Sequence, residues 1–179
     1  HYAVHTPIQA LDEVAARYEN APGETQQNAK YAAMVESVDD AMGSLLAVLE
    51  KHDIDDRTVI LFTSDNGGLD RNASPTDNAP LRSGKGYAYE GGIRVPFIVR
   101  LPGQIPAGKV SDTPVTSVDI VPTFLELGGF DLPSDRPIDG LSLATHLKSG
   151  GETPVARDEL LWHFPHYRHD PGPYSIIRK

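Results

Sequence analysis

Asp65 and Asn66 stand side by side in the run TSDNGG at residues 63–68, and they lead the residues of this chain that could do chemistry. A carboxylate beside a side-chain amide offers two hard oxygen donors, one charged and one neutral, of the kind that Ca²⁺ and Mg²⁺ accept. The same pair suits a polar turn in which both side chains bond their own backbone, so a metal corner and a turn stand as alternatives here. Lys85 lies between Gly84 and Gly86 in the stretch LRSGKGYAYEGGIRV at 81–95, which also carries Gly91 and Gly92. Flanking glycines let the backbone bend to present an ammonium, and a point charge suits sulfate or phosphate oxygens. An exposed loop with a solvated Lys fits equally well, and the spacing is not that of a nucleotide P-loop. His5 precedes Thr6-Pro7 near the end of an extended segment, which could aim its imidazole at a site or simply leave it exposed. His163, His166 and His169 recur at three-residue steps. On a helix that spacing would gather zinc ligands, but Pro165, Pro171 and Pro173 argue against a helix and favour a substrate-contacting loop.

These side chains need elements to position them. Val59, Ile60, Leu61 and Phe62 form an unbroken apolar run, the pattern of a parallel strand buried on both faces, and Asp65 and Asn66 follow just beyond its carboxyl end. In open α/β sheets ligands bind outside the carboxyl ends of strands. Before it, the pattern predicts a long helix over about residues 25–52. Tyr31, Val35, Val38, Met42, Leu45 and Leu49 recur at three- and four-residue steps, widened by Met34 and Leu46, with Asp39 at the border of the stripe. Residues 11–24 read as a surface excursion turning at Pro22-Gly23, and 69–80 as a loop in which Asn72-Ala73-Ser74 matches a glycosylation acceptor. A second buried strand is predicted over 96–101, with Pro96 at its first position. A helix over 118–127 would be capped by Ser117 and stopped by Gly128-Gly129. A short helix over 141–147 and a strand over 159–164 follow. Helix alternating with strand implies an α/β protein built on a doubly wound mixed sheet flanked by helices.

A chain of 179 residues suits one domain with a proper core. It has no Cys, hence no disulfide, thiolate metal site or cysteine nucleophile. Its formal charge of -9, without a basic stripe, argues against nucleic acid as a partner. No apolar run approaches the roughly 20 residues needed to span a bilayer. The start at His1-Tyr2 and the finish at Ile177-Arg178-Lys179, in what reads as the middle of a strand, lead to the expectation that both ends are cut. Exposed sheet edges would then favour self-association.

Taken together, His5-Thr6-Pro7, TSDNGG at 63–68, LRSGKGYAYEGGIRVPFIV at 81–99 and SVDIVPTFLELGG at 117–129 resemble, in order and spacing, the C-terminal part of a type I, formylglycine-dependent sulfatase of the alkaline-phosphatase superfamily. The resemblance implies an α/β catalytic domain whose N-terminal half is incomplete here, with residues 1–150 its C-terminal portion and 151–179 the beginning of a small C-terminal strand subdomain. It implies that Asp65 and Asn66 are ligands of Ca²⁺, with Mg²⁺ the alternative, that Lys85 contacts a sulfate oxygen, and that His5 stands at the sulfate pocket. His163 and His166 would lie on the substrate side. The formylglycine nucleophile, made from the Cys or Ser of a C/S-x-P-x-R motif, is expected in a preceding segment, so this chain alone would be inactive. The substrate would be a sulfated small molecule or carbohydrate, and the parent periplasmic, secreted or lysosomal. A phosphodiesterase or phosphonate hydrolase of the same superfamily, and a non-catalytic anion-binding pseudo-enzyme, are the alternative readings.

Overall fold

A computed structural model describes residues 4–19, 28–70, 74–166 and 174–178. His169, Asn72 and Ala73, singled out above, lie outside the described residues. In chain order the elements are α1 (Asp12–Ala15), α2 (Ala29–Lys51), β1 (Ile60–Thr63), α3 (Glu90–Ile93), β2 (Phe97–Arg100), α4 (Ile120–Leu127), α5 (Ala144–Lys148), β3 (Leu160–Phe164) and β4 (Tyr174–Arg178). They fall into two compact units, His1–Asp53 with Ser64–Val95, and Ile54–Thr63 with Pro96–Lys179.

In the first unit α2 starts where Asn28, in extended backbone, accepts a hydrogen bond from the Tyr31 N–H at 2.9 Å. That side chain satisfies one of the amides a helix start leaves without a partner. Ala33 and Met34 are buried, as is Ala15 of α1, which packs on α2. The inward face runs through Tyr31, Met34, Val38, Met42, Leu46 and Leu49, whereas Val35, Leu45 and Val48 are exposed. The predicted stripe was therefore drawn too wide. Periodicity shows which residues could face a core, and a four-residue α1 covers only part of that face. Asp39 is exposed, in line with a local surface role.

The second unit holds two small antiparallel sheets. β1 pairs with β2 in the register Ile60↔Arg100, Leu61↔Val99, Phe62↔Ile98 and Thr63↔Phe97. The expected parallel strand, buried on both faces, is thus an antiparallel one, and Phe62 and Ile98, opposite each other, are 36% and 59% exposed. An apolar run carries no orientation, and it marks a strand able to be buried rather than one that is. The Arg100 guanidinium ties β2 to the turn before β1 through an ion pair with Asp55 at 3.1 Å. α4 begins two residues later than predicted, after a 3₁₀ turn over Ser117–Asp119. The cap falls on that turn rather than on Ser117: Thr116 precedes it and forms a reciprocal capping box with Asp119, the residue just before α4. Gly128 ends the helix and Gly129 follows at φ 73°. Among the described residues β3 and β4 pair only with each other, with Trp162 opposite Ile176 and His163 opposite Ser175.

The interior of the second unit is polar as well as apolar. Leu101, Leu143, Ala144 and Leu160 are buried, and among them Asp119 is fully buried. Its carboxylate accepts from Arg157 Nη1 and Nη2 at 2.9 and 2.5 Å, from the Thr116 N–H at 3.0 Å and from the Leu141 N–H at 2.9 Å. Thr123 Oγ1 extends the knot, donating to the Asp119 carbonyl at 2.6 Å and accepting from the Leu143 N–H at 2.9 Å. A side chain at Gly140 would meet the Val118 carbonyl at 2.0 Å, so only glycine lets that loop close on the Asp119 turn.

Candidate oxyanion and metal site

The chain leaves β1 at Ser64, and the corner is shaped by Ser64 Oγ, which donates to the Asn66 carbonyl at 2.9 Å. Asp65 is exposed and Asn66 half-buried, and neither side chain has a hydrogen-bond or ion-pair partner among the described residues. A turn held by Asx side chains would show them bonded to nearby backbone. Here the serine makes the turn and leaves both oxygen donors available.

Gly67 and Gly68 then lace this corner to the segment bearing Lys85. The Gly67 N–H donates to the Gly92 carbonyl at 2.9 Å, and the Lys85 N–H to the Gly68 carbonyl at 2.9 Å. A Cβ at Gly67 would lie 1.7 Å from the Gly91 carbonyl oxygen, and one at Gly91 would lie 1.9 Å from that of Ser83. These approaches admit no side chain, which is why glycines recur here. Asn78 completes the lacing, its Nδ2 donating to the carbonyls of Gly68 at 2.9 Å and Ser83 at 3.0 Å, while Ser83 takes a left-handed φ of 65°. Sequence reasoning missed Asn78, because a lone amide in a polar loop carries no pattern. It also passed over Arg82, whose guanidinium carbon stands 3.8 Å from the centroid of the Tyr89 ring.

Within the same unit the Lys85 Nζ reaches His5 Nε2 at 3.0 Å, across eighty positions of sequence. His5 Nδ1 lies 2.7 Å from the Thr6 carbonyl. A carbonyl can only accept, so Nδ1 carries the proton, and an ammonium can only donate, so Nε2 presents its lone pair. The imidazole in this arrangement is a proton acceptor toward Lys85. His163 and His166 belong to the second unit: His163 Nδ1 lies 2.7 Å from Ser175 Oγ, and His166 packs edge-on against Phe164 with centroids 5.2 Å apart. Both are exposed.

The donor set at the corner fits a hard divalent cation in part. Asp65 and Asn66 offer oxygen donors, but no cluster of three His, Cys, Asp or Glu forms among the described residues. Ca²⁺ takes about six to eight oxygens, so these two could serve only as part of its shell.

The sequence model of the family described as Sulfatase matches residues 2–130. This chain belongs to the sulfatase family. It is 39% identical over 181 aligned residues to a sulfatase from Formosa agariphila, an alignment covering 93% of this chain and 32% of that protein. Among solved structures it superposes with a TM-score of 0.82 on Ps i-CgsB in complex with k-i-k-neocarrahexaose, at 35% identity, covering 97% of this chain and 37% of the other. It superposes with a TM-score of 0.68 on BT4656 in complex with its substrate D-glucosamine-2-N,6-O-disulfate, at 31% identity, covering 91% of this chain and 33% of the other. The chain thus spans about a third of the length of the proteins it matches. These likenesses carry the α/β, alkaline-phosphatase-like fold. The two small sheets described above fit a part of such a domain.

Proposed function

We propose that this chain forms one side of the active site of a sulfatase that hydrolyses sulfate monoesters on a sulfated small molecule or carbohydrate. The observation that carries the reading is the meeting of Lys85 Nζ with His5 Nε2 at 3.0 Å on a loop laced by backbone hydrogen bonds to the Asp65–Asn66 corner. Asp65 and Asn66 would hold Ca²⁺, or Mg²⁺ in its place, which when bound offsets charge on sulfate oxygens. Lys85 donates to a sulfate oxygen and balances the charge that develops as the ester bond breaks. His5, held in the tautomer whose Nε2 lone pair faces Lys85, is set to accept a proton at that atom. The formylglycine nucleophile would come from a segment outside these residues, which makes the isolated chain catalytically incomplete. His163 and His166, in the second unit, are assigned a substrate-side role by the resemblance alone. Residues 151–179 would open a C-terminal subdomain, a reading supported by the pairing of β3 with β4 alone among the described residues.

The test is a calorimetric Ca²⁺ titration of the parent enzyme, which would hold the rest of the Ca²⁺ shell, and of its Asp65→Ala variant. Loss of one carboxylate ligand should weaken Ca²⁺ binding by about tenfold or more. In the parent enzyme the same change should lower Ca²⁺ affinity and turnover together. Calcium affinity equal in the two proteins would refute the metal assignment. At the nucleophile position of the parent, a Thr, or a Ser outside a C/S-x-P-x-R motif, would turn the reading toward phosphoryl transfer.

A further inference from the structure

Arg82 precedes Lys85 by three residues in the same unit and is exposed. It is held at both ends. Its carbonyl accepts from the Gly91 N–H at 2.9 Å, and its guanidinium lies over the Tyr89 ring, which stacks in turn with Tyr87 at a centroid distance of 6.5 Å. Arg17, Arg94, Arg100, Arg136 and Arg157 each meet a carboxylate. Arg82 meets none among the described residues, although the chain carries a formal charge of -9. A guanidinium lying on an aromatic face keeps its N–H edges free, in a planar fork that matches an oxyanion. Because the ring already orders the side chain, less rotamer entropy is lost when it binds. Three residues span at most about 11 Å between Cα atoms, so Arg82 and Lys85 can serve two anionic groups of one small molecule.

We propose that Arg82 is a specificity residue that takes a second anionic group of the substrate whose first sulfate lies on Lys85, so that the site selects carbohydrates bearing at least two acidic groups. The proposal rests on the sulfate-binding reading of Lys85. Its test is titration of the full chain, in the presence of Ca²⁺, with D-glucosamine-2-N,6-O-disulfate and with N-acetyl-D-glucosamine 6-O-sulfate. The disulfate should bind about fivefold or more tighter, the size of a charge-assisted contact at an exposed site. In Arg82→Gln the ratio of the two affinities should fall toward one. Arg82→Lys, which keeps charge but loses the fork, should give an intermediate ratio, and so should Tyr89→Leu, which removes the ring beneath the guanidinium. Equal affinities in the wild-type chain, or a ratio that survives Arg82→Gln with an unchanged circular dichroism spectrum, would overturn the proposal while leaving the sulfate site intact. Failure of both probes to bind, or binding of both unaffected by Lys85→Gln, would overturn the reading of Lys85 and this proposal with it.

Discussion

Removing the Asp119 carboxylate should destabilise the second unit more than any exposed ion pair could. The carboxylate is fully buried and accepts four hydrogen bonds, two from the Arg157 guanidinium and one each from the Thr116 and Leu141 N–H groups. In Asp119→Ala, Arg157, whose side chain is only 12% exposed, is left without its partner, and two backbone donors lose their acceptor. Breaking a buried pair from one side costs about 3–5 kcal/mol, set against a total stability of roughly 5–15 kcal/mol for a domain. Asp119→Asn keeps an acceptor but turns an NH₂ group toward existing donors and drops the charge, for a cost of about 2–4 kcal/mol. Urea denaturation followed by the fluorescence of Trp162, the chain's one tryptophan and a residue of the same unit, reads both changes. Arg157→Met combined with Asp119→Ala should cost less than the sum of the singles by about 1–3 kcal/mol, since each single strands the other's partner. Asp119→Ala within about 0.5 kcal/mol of the wild type, the range of an ordinary surface change, would refute the reasoning, and so would strict additivity with Arg157→Met.

The same residue gives an acid signature. Burial alone would raise the Asp119 carboxyl, but the hydrogen-bonded Arg157 guanidinium and the Leu141 and Thr116 N–H groups outweigh it and hold the carboxyl below the usual carboxylate value. With the folded value depressed, the stabilisation is whole above the unfolded value of about 4 and drains as pH falls through the lower folded one. Wild type should therefore lose stability below about pH 4 more steeply than Asp119→Asn, measured by urea midpoints across pH. Gly91→Ala would drive a Cβ to 1.9 Å from the Ser83 carbonyl. It should cost about 1–3 kcal/mol as overpacking does and weaken sulfate-ester binding in titration, because that carbonyl is laced to the Lys85 loop. Asn28→Ala, which removes the cap on the Tyr31 N–H, should lower stability by about 1 kcal/mol in thermal melts while leaving Ca²⁺ binding unchanged.

Residue types and local order were legible along the chain. The apolar run at 59–62, the long amphipathic pattern of α2 and the Gly-Gly stop after α4 all became elements close to their predicted bounds, because their signals lie within a few neighbouring residues. The glycines at 67, 68, 84, 91 and 92 announced a backbone needing freedom, and the spacing of TSDNGG, GKG and EGGIRVP carried the family. What the linear order could not contain was decided in three dimensions. The orientation of β1 depends on which strand pairs with it, and an apolar run reads the same in both directions. That the Asp65–Asn66 corner is shaped by Ser64 Oγ rather than by the two side chains is likewise a matter of where that hydroxyl points. The meeting of His5 with Lys85 joins positions eighty apart, and the Asp119–Arg157 pair joins positions 38 apart. Single charged residues at such separations leave no periodicity to read, so pairings of this kind become visible only once the chain has folded.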